Sequence, residues 1–304
     1  MENTLFVSSS PHFRGGRRTS HIMACVLLCL LPSVVASAVI FGARALLVIA
    51  VCASVCTVTE FLCRLIMKRV QTVNDLSAAV TGVLLALTLP PDIPLPFAVF
   101  GCVCAIAVIK QMFGGIGCNF INPALGARII MLMSFPGAMT SFTYDGATTA
   151  TPLAAHHGIS ELLLGNTGGC IGETCSIAII VGGCALMLLG VIRPVIPVFY
   201  ITTVAVFSAF AGRDVMTQVF GGGLLLGAFF MATDYTTSPL TDVGKLVYAV
   251  GCGLLTCVIR FYASLPEGVS YAIVLMNIAA PLIDRATAPK PFGERERRRK
   301  EAGK

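Results

Sequence analysis

The sequence predicts an all-α integral membrane protein, with about ten transmembrane helices arranged as two inverted five-helix repeats. Three observations carry that expectation. Only 12% of the 304 residues are charged, about half the share usual in soluble domains, and the mean hydropathy is +0.87. The charges crowd into the first twenty residues, the short connectors and the tail Glu294-Arg295-Glu296-Arg297-Arg298-Arg299-Lys300-Glu301. Apolar runs close to spanning length recur along the chain, and phrases in its first half return in its second.

A helix that crosses a bilayer needs about 20 mostly apolar residues. Such runs fall at 22–41, 43–63, 75–90, 95–113, 120–136, 176–192, 195–212, 214–232, 244–262 and 267–284, several of them short and broken by Gly or Pro. The first run starts near His21 and is followed by many more, unlike a cleavable signal peptide. The organisation that follows is a cytoplasmic segment 1–20, a membrane domain 21–284 and a basic cytoplasmic tail 285–304.

Orientation comes from where Lys and Arg fall. Arg14, Arg17 and Arg18 precede the first span and the basic tail follows the last, so both ends are expected in the cytoplasm. An even number of spans then places Arg64, Lys68, Arg69, Lys110, Arg193 and Lys245 inside. The connector 137–176 holds Asp145, Glu161 and Glu173 but neither Lys nor Arg, and falls outside. Arg44, Arg213 and Arg260 fall on the outer side against the general trend. The net charge of +6 flanks apolar runs and forms no basic groove interleaved with aromatics, so nucleic acid is not the expected partner; the lipid bilayer is.

Most of the thirteen cysteines lie inside apolar runs, where Cys behaves as a small apolar residue. There is no Cys-x-x-Cys and no ligand set with zinc or iron–sulfur spacing, so no metal is expected. Cys170 and Cys175 lie outside the spans, where a disulfide is open to them.

The repeat reads as follows. Gly82-Val83-Leu84-Leu85-Ala86-Leu87-Thr88 leads through Pro90, Pro91 and Pro94 to Gly114-Gly115-Ile116-Gly117-Cys118-Asn119, then Phe120-Ile121-Asn122-Pro123. Gly223-Leu224-Leu225-Leu226-Gly227-Ala228 leads through Asp234 and Pro239 to Pro266-Glu267-Gly268, then Asn277. Matching elements are five spans apart, an odd number that reverses direction. Irregular backbone at membrane depth persists only where it is buried or lines a polar cavity. The breaks at Gly114–Asn119 and Met231–Asp234 therefore mark either a central site or ordinary surface connectors. Ionisable residues near spans are functional candidates by default: Lys110, Arg128, Asp234, Arg260 and Glu267. Lys110 and Arg260 can also snorkel from span ends. Asp234 and Glu267 lie in the broken segments and are the candidates for a cation or proton path.

Five phrases, in order, resemble the NqrB/RnfD family of membrane subunits of ion-translocating oxidoreductase complexes, nearer its RnfD branch. They are Gly114 to Ala124, Asp145-Gly146-Ala147-Thr148-Thr149-Ala150-Thr151-Pro152-Leu153, Leu164 to Thr174, Gly227 to Asp234, and Pro266 to Ala272 followed by Asn277. The likeness runs from about Asp75 to Asp284. The NqrB branch usually carries a longer amino-terminal extension.

The resemblance implies FMN attached through its phosphate to a threonine hydroxyl, here Thr151, in a motif to which Thr148 and Ala150 belong. Thr149 stands where the family often has Gly, and Thr148 and Thr149 are the alternative acceptors. Asp145 would belong to the motif read by a flavin-attaching transferase. The family also implies a second, noncovalent flavin (riboflavin), to which Asn119, Asn122 and Asn277 are candidate hydrogen-bonding partners. His156 and His157 follow Thr151 closely, either touching the FMN or simply solvated. The implied partners are the A-, B-, C-, E- and G-type subunits of an Rnf complex.

Two functions follow from different classes. One is a redox subunit relaying electrons between ferredoxin and NAD modules, coupled to Na⁺ or H⁺ movement across the inner membrane. The other is a secondary transporter or channel on an inverted-repeat scaffold. The outer Asp145–Leu153 segment separates them, since a solute carrier has no need of it. No Gly-x-Gly-x-x-Gly dinucleotide fingerprint is present, so the chain is not expected to act as an autonomous enzyme and no catalytic residue is assigned.

Overall fold

A computed structural model describes residues 18–144, 147–149, 158–165, 168–263 and 268–289. Every apolar run marked by the sequence contains helix. Four helices are long and apolar enough to cross a membrane: α1 (Thr19–Phe41), α2 (Ala43–Ile66), α12 (Asp242–Tyr262) and α13 (Gly268–Thr287). Five are shorter: α3 (Ser77–Leu87), α4 (Leu95–Val103, continued by a π-helical stretch Cys104–Gln111), α5 (Pro123–Ser134), α8 (Ser176–Leu188) and α9 (Val195–Phe210).

The remaining run, the eighth, expected at 214–232, is two pieces. α10 (Val215–Phe220) is capped by Asp214, which accepts the N–H groups of Met216 and Thr217. α11 (Leu224–Leu226) then continues as a π turn, Gly227–Met231. Three glycines separate the pieces, and Gly222 and Gly223 sit at φ of +65° and +68°, a left-handed conformation that only glycine adopts without strain. The first half has the same break. Leu76, at φ +58°, is the left-handed residue before α3.

Between the halves lie α6 (Pro136–Met139), the antiparallel pair β1 (Phe142–Tyr144) and β2 (Ala147–Thr149), and α7 (Ile159–Leu164). The small hairpin is the one departure from an all-helical expectation among the described residues. It forms because Phe142 to Thr149 is rich in aromatic and β-branched residues around Asp145-Gly146, a strong tight-turn signal.

The neighbour pattern of the first half returns in the second. α2 packs on α3 and α4, as α9 packs on α10 and α12. α5 packs on α3 and on the π stretch of α4, as α13 packs on α12 and on the π turn after α11. α1 meets α8 and α5 meets α13, joining the halves. Lipid is as apolar as leucine, so these contacts rest on close packing and hydrogen bonds rather than on water exclusion. At the α1–α8 contact, a Cβ on Gly182 would lie 2.1 Å from the Cys29 carbonyl oxygen. The outer faces carry Leu28, Val35, Val39, Leu188 and Phe210 exposed, an apolar surface suited to lipid rather than water.

The connector 137–176 is not all surface. Gly168 to Gly172 and Thr174 are buried, and the segment runs under the end of α3. Gly172 N–H donates to the carbonyl of Leu87 (2.7 Å), one of those that α3 leaves open where it stops, and Ile171 N–H to that of Leu89 (2.9 Å) just beyond. Cys170 and Cys175 are both free thiols, against the open possibility of a bridge. Cys170 instead meets Arg128, and Cys175 donates to the Leu163 carbonyl.

Replacing Gly182 with Val should force α1 from α8. Overpacking of this kind costs about 1–3 kcal/mol. The expected outcome is a lower thermal midpoint in detergent, measured beside Ile177→Val on the exposed face of α8, which should leave it unchanged.

Candidate functional site

A carboxylate inside the bundle organises one end of it. Glu60, on the last turns of α2, is fully buried. Its Oε2 accepts Lys110 Nζ (2.9 Å), and its Oε1 accepts Gln111 Nε2 (2.9 Å) and Thr72 Oγ1 (3.2 Å). Arg64, one turn on, lies 3.8 Å from the same oxygen and donates to the Val70 carbonyl. Lys110 also donates to Ser77 Oγ (2.7 Å) at the start of α3. The π stretch delivers Lys110 and Gln111: its i→i+5 bonds, such as Met112 N–H to the Ala107 carbonyl, widen the turn. Two adjacent side chains thus reach one carboxylate.

Lys110 and Ser77 of this cluster form part of the wall of a cavity of about 410 Å³. The beginnings of α1, α3 and α5, the end of α8 and the segment Thr233–Thr236 enclose it, with Lys110, Asn119, Asn122 and Asp234 facing in. The two breaks expected from sequence, Gly114–Asn119 and Met231–Asp234, therefore meet at one place. Asn119 is buried and its Oδ1 has no hydrogen-bond partner among the described residues. Burial pushes the Asp234 carboxyl above its usual range, while Thr236, Thr237 and Lys110 pull it back down. Tyr235 Oη donates to the Val191 carbonyl, tying this segment to the α8–α9 turn.

The three asparagines separate in role. Asn122 caps α5, accepting the Ala124 and Leu125 N–H groups, and donates to the Met231 carbonyl (3.2 Å) across the halves. Asn277 lies one layer behind the cavity. Oriented so that its oxygen accepts the Asn122 N–H (3.2 Å), its amide donates to Tyr248 Oη (2.6 Å) and the Ile273 carbonyl (3.2 Å). Asn119 and Asn122 thus face the cavity, whereas Asn277 braces it.

Toward the other end, Arg128 on α5 pairs with Glu173 of the buried connector (2.8 Å) and donates to Cys170 Sγ (3.3 Å). Arg260 forks onto the carbonyls of Gln218 (2.6 Å), Gly221 (3.3 Å) and Gly222 (2.9 Å), holding the broken helix, so it does not snorkel. Thr148 and Thr149 lie on β2, opposite Thr143 and Phe142. Asp145, Ala150, Thr151, His156, His157 and Glu267 lie outside the described residues. Sequence reasoning missed Glu60. The signal was available: it is the lone acid in the apolar run 43–63, with Arg64 four residues on.

Glu60 and Lys110 stabilise each other only as a pair. Glu60→Leu should cost about 3–5 kcal/mol by stranding a buried ammonium. Glu60→Leu with Lys110→Met should recover part of that loss, and denaturant unfolding in detergent across the four-protein cycle checks the coupling.

Comparison with known proteins places the chain. The model of the NQR2, RnfD, RnfE family matches residues 6–293. The chain is 46% identical to the D-type subunit of the Na⁺-translocating ferredoxin:NAD⁺ oxidoreductase complex of Acetobacterium woodii, over 96% of each chain. It is 40% identical to the D-type subunit of the proton-translocating ferredoxin:NAD⁺ oxidoreductase complex of Clostridium ljungdahlii, over 97% of this chain and 98% of the relative. It is 35% identical to the D-type subunit of the ion-translocating oxidoreductase complex of Stutzerimonas stutzeri, over 91% and 92%. A multi-pass membrane protein with these matches along nearly its whole length, the chain belongs to the NQR2, RnfD, RnfE family.

Proposed function

We propose that this chain is the D-type membrane subunit of an ion-translocating ferredoxin:NAD⁺ oxidoreductase complex, working with the other Rnf-type subunits in the inner membrane. Near-complete coverage of relatives so named carries the reading. Ten spans form two inverted repeats, which the duplicated neighbour pattern and the left-handed residues before α3 and α11 support. Both termini are cytoplasmic. The cavity then opens at the cytoplasmic end, which carries Arg64, Lys68, Arg69 and Arg193, and the Thr151 loop is extracytoplasmic.

A flavin transferase attaches FMN to Thr151 of this chain, in the Asp145–Leu153 segment. A second, noncovalent flavin of the riboflavin type occupies the cavity at the other end. The residues there fit it: an apolar slot of about 410 Å³ with a few placed polar groups, and an orphaned buried acceptor, Asn119 Oδ1, suited to a ring N–H. Asn122, fixed by its capping bonds, and Lys110 complete the polar wall. The bound ring supplies one- and two-electron redox chemistry, and the protein supplies position, electrostatics and exclusion of water. Asp234, with Glu267, stands in the candidate path for the coupled cation or proton.

Intact mass and in-gel fluorescence of the denatured protein, co-produced with the flavin-attaching transferase, test the tether. A covalent FMN adduct should be present in the wild type and absent in Thr151→Ala. Fluorescence that persists in the variant moves the acceptor to Thr148 or Thr149, and an unlabelled wild type beside a labelled known substrate ends the redox reading. For the cavity, Asn119→Leu should weaken riboflavin retention at least about tenfold, since it removes a buried hydrogen bond worth roughly 1–1.5 kcal/mol and fills the slot. Fluorescence titration of the detergent-purified chain measures it.

A further inference from the structure

Lys110 is 2% exposed, yet it forms part of the cavity wall. Two of its three ammonium protons go to Glu60 and Ser77. The third has no partner among the described residues. Glu60 cannot turn toward the cavity, because Gln111 and Thr72 hold its other oxygen. The pair is therefore a fixed dipole, with its positive end at the cavity and its negative end behind.

We infer that the Glu60–Lys110 pair sets the reduction potential of the ring bound in the cavity, Lys110 compensating the charge that reduction adds and Glu60 limiting that compensation from behind. The inference rests on the flavin reading of the cavity given above. Its physical basis is short. One-electron reduction places a negative charge on the ligand, and in a largely apolar cavity a nearby cation lowers the energy of that charge more than it would in water. The step adds one electron to the ligand and makes or breaks no bond at the protein. A pair that merely fastens α2 to α4 would lose stability on mutation but would not move the potential in opposite directions from its two members.

The full-length chain is prepared without the flavin-attaching transferase, so that only noncovalent flavin is present, loaded with riboflavin and titrated with dithionite against reference dyes. Lys110→Met should lower the midpoint potential by the equivalent of a tenfold change in the one-electron equilibrium or more, about 59 mV. Glu60→Gln, which keeps hydrogen-bonding capacity but removes the charge, should raise it, and Lys110→Arg should leave it near the wild type. If Lys110→Met does not assemble, Glu60→Gln and Lys110→Arg decide the matter through the same signed expectation. Riboflavin bound with an unmoved potential in Glu60→Gln overturns the inference and leaves the flavin reading standing. A wild type that takes up no riboflavin overturns both.

Discussion

Each broken helix in this bundle strands peptide groups in a region where water does not reach, and the structure is arranged around answering them. In hydrocarbon a lone carbonyl or N–H costs several kcal/mol, so every break demands a specific partner from elsewhere in the chain. The end of α3 is answered by the Ile171 and Gly172 N–H groups. The end of α10 is answered by the Arg260 guanidinium, whose forked donors match several carbonyls at once. The end of the π turn after α11 is answered by the Asn122 amide, which at the same time starts α5. These partners are long-range, and they fix the relative positions of the two halves more firmly than apolar contact in lipid can.

The polar side chains brought in for this purpose also create chemistry. At one end Glu60, Lys110, Gln111 and Ser77 knit α2, α3 and α4; toward the other, Arg128 and Glu173 pin the connector. Both ion pairs are buried, so neither is a strong source of net stability, and their value lies in geometry. A breathing bundle would let the cavity polar groups drift. Here Asn122 is held by three hydrogen bonds of its own, and Asp234 sits in a segment tied down through Thr236 and Tyr235.

Much of this was legible in the sequence, for reasons that can be stated. Apolar helices are readable because the bilayer imposes length and polarity together: all ten apolar runs contain helix, and four of the helices are long and apolar enough to cross a membrane. The breaks at Gly114–Asn119 and Met231–Asp234 were readable because glycine and lone polar residues are expensive in lipid, and the structure brings them to one cavity. Pairings were not. Nothing near Glu60 in the chain announces Lys110, 50 residues on, or Gln111, 51 residues on. Asn277 has the same residue type as Asn119, but its place on α13 turns it toward Tyr248 and Asn122. The lack of Lys and Arg in the connector 137–176 spoke only to its side of the membrane, not to its burial. Its last part is buried, and Gly172 lets backbone pass against Leu87 of α3 where a Cβ would lie 2.5 Å from that side chain.

That buried strap bears on how the chain is made. Translation completes α3 about eighty residues before Ile171 and Gly172 exist. During that interval the end of α3 must find temporary partners in the insertion machinery or at the bilayer surface. The first half therefore reaches its final form only when the connector folds back into it, and the second half begins at the next residues. Expressed as separate pieces cut within the connector, the halves would not be two modules. One would lack its floor, and the other would carry it unused.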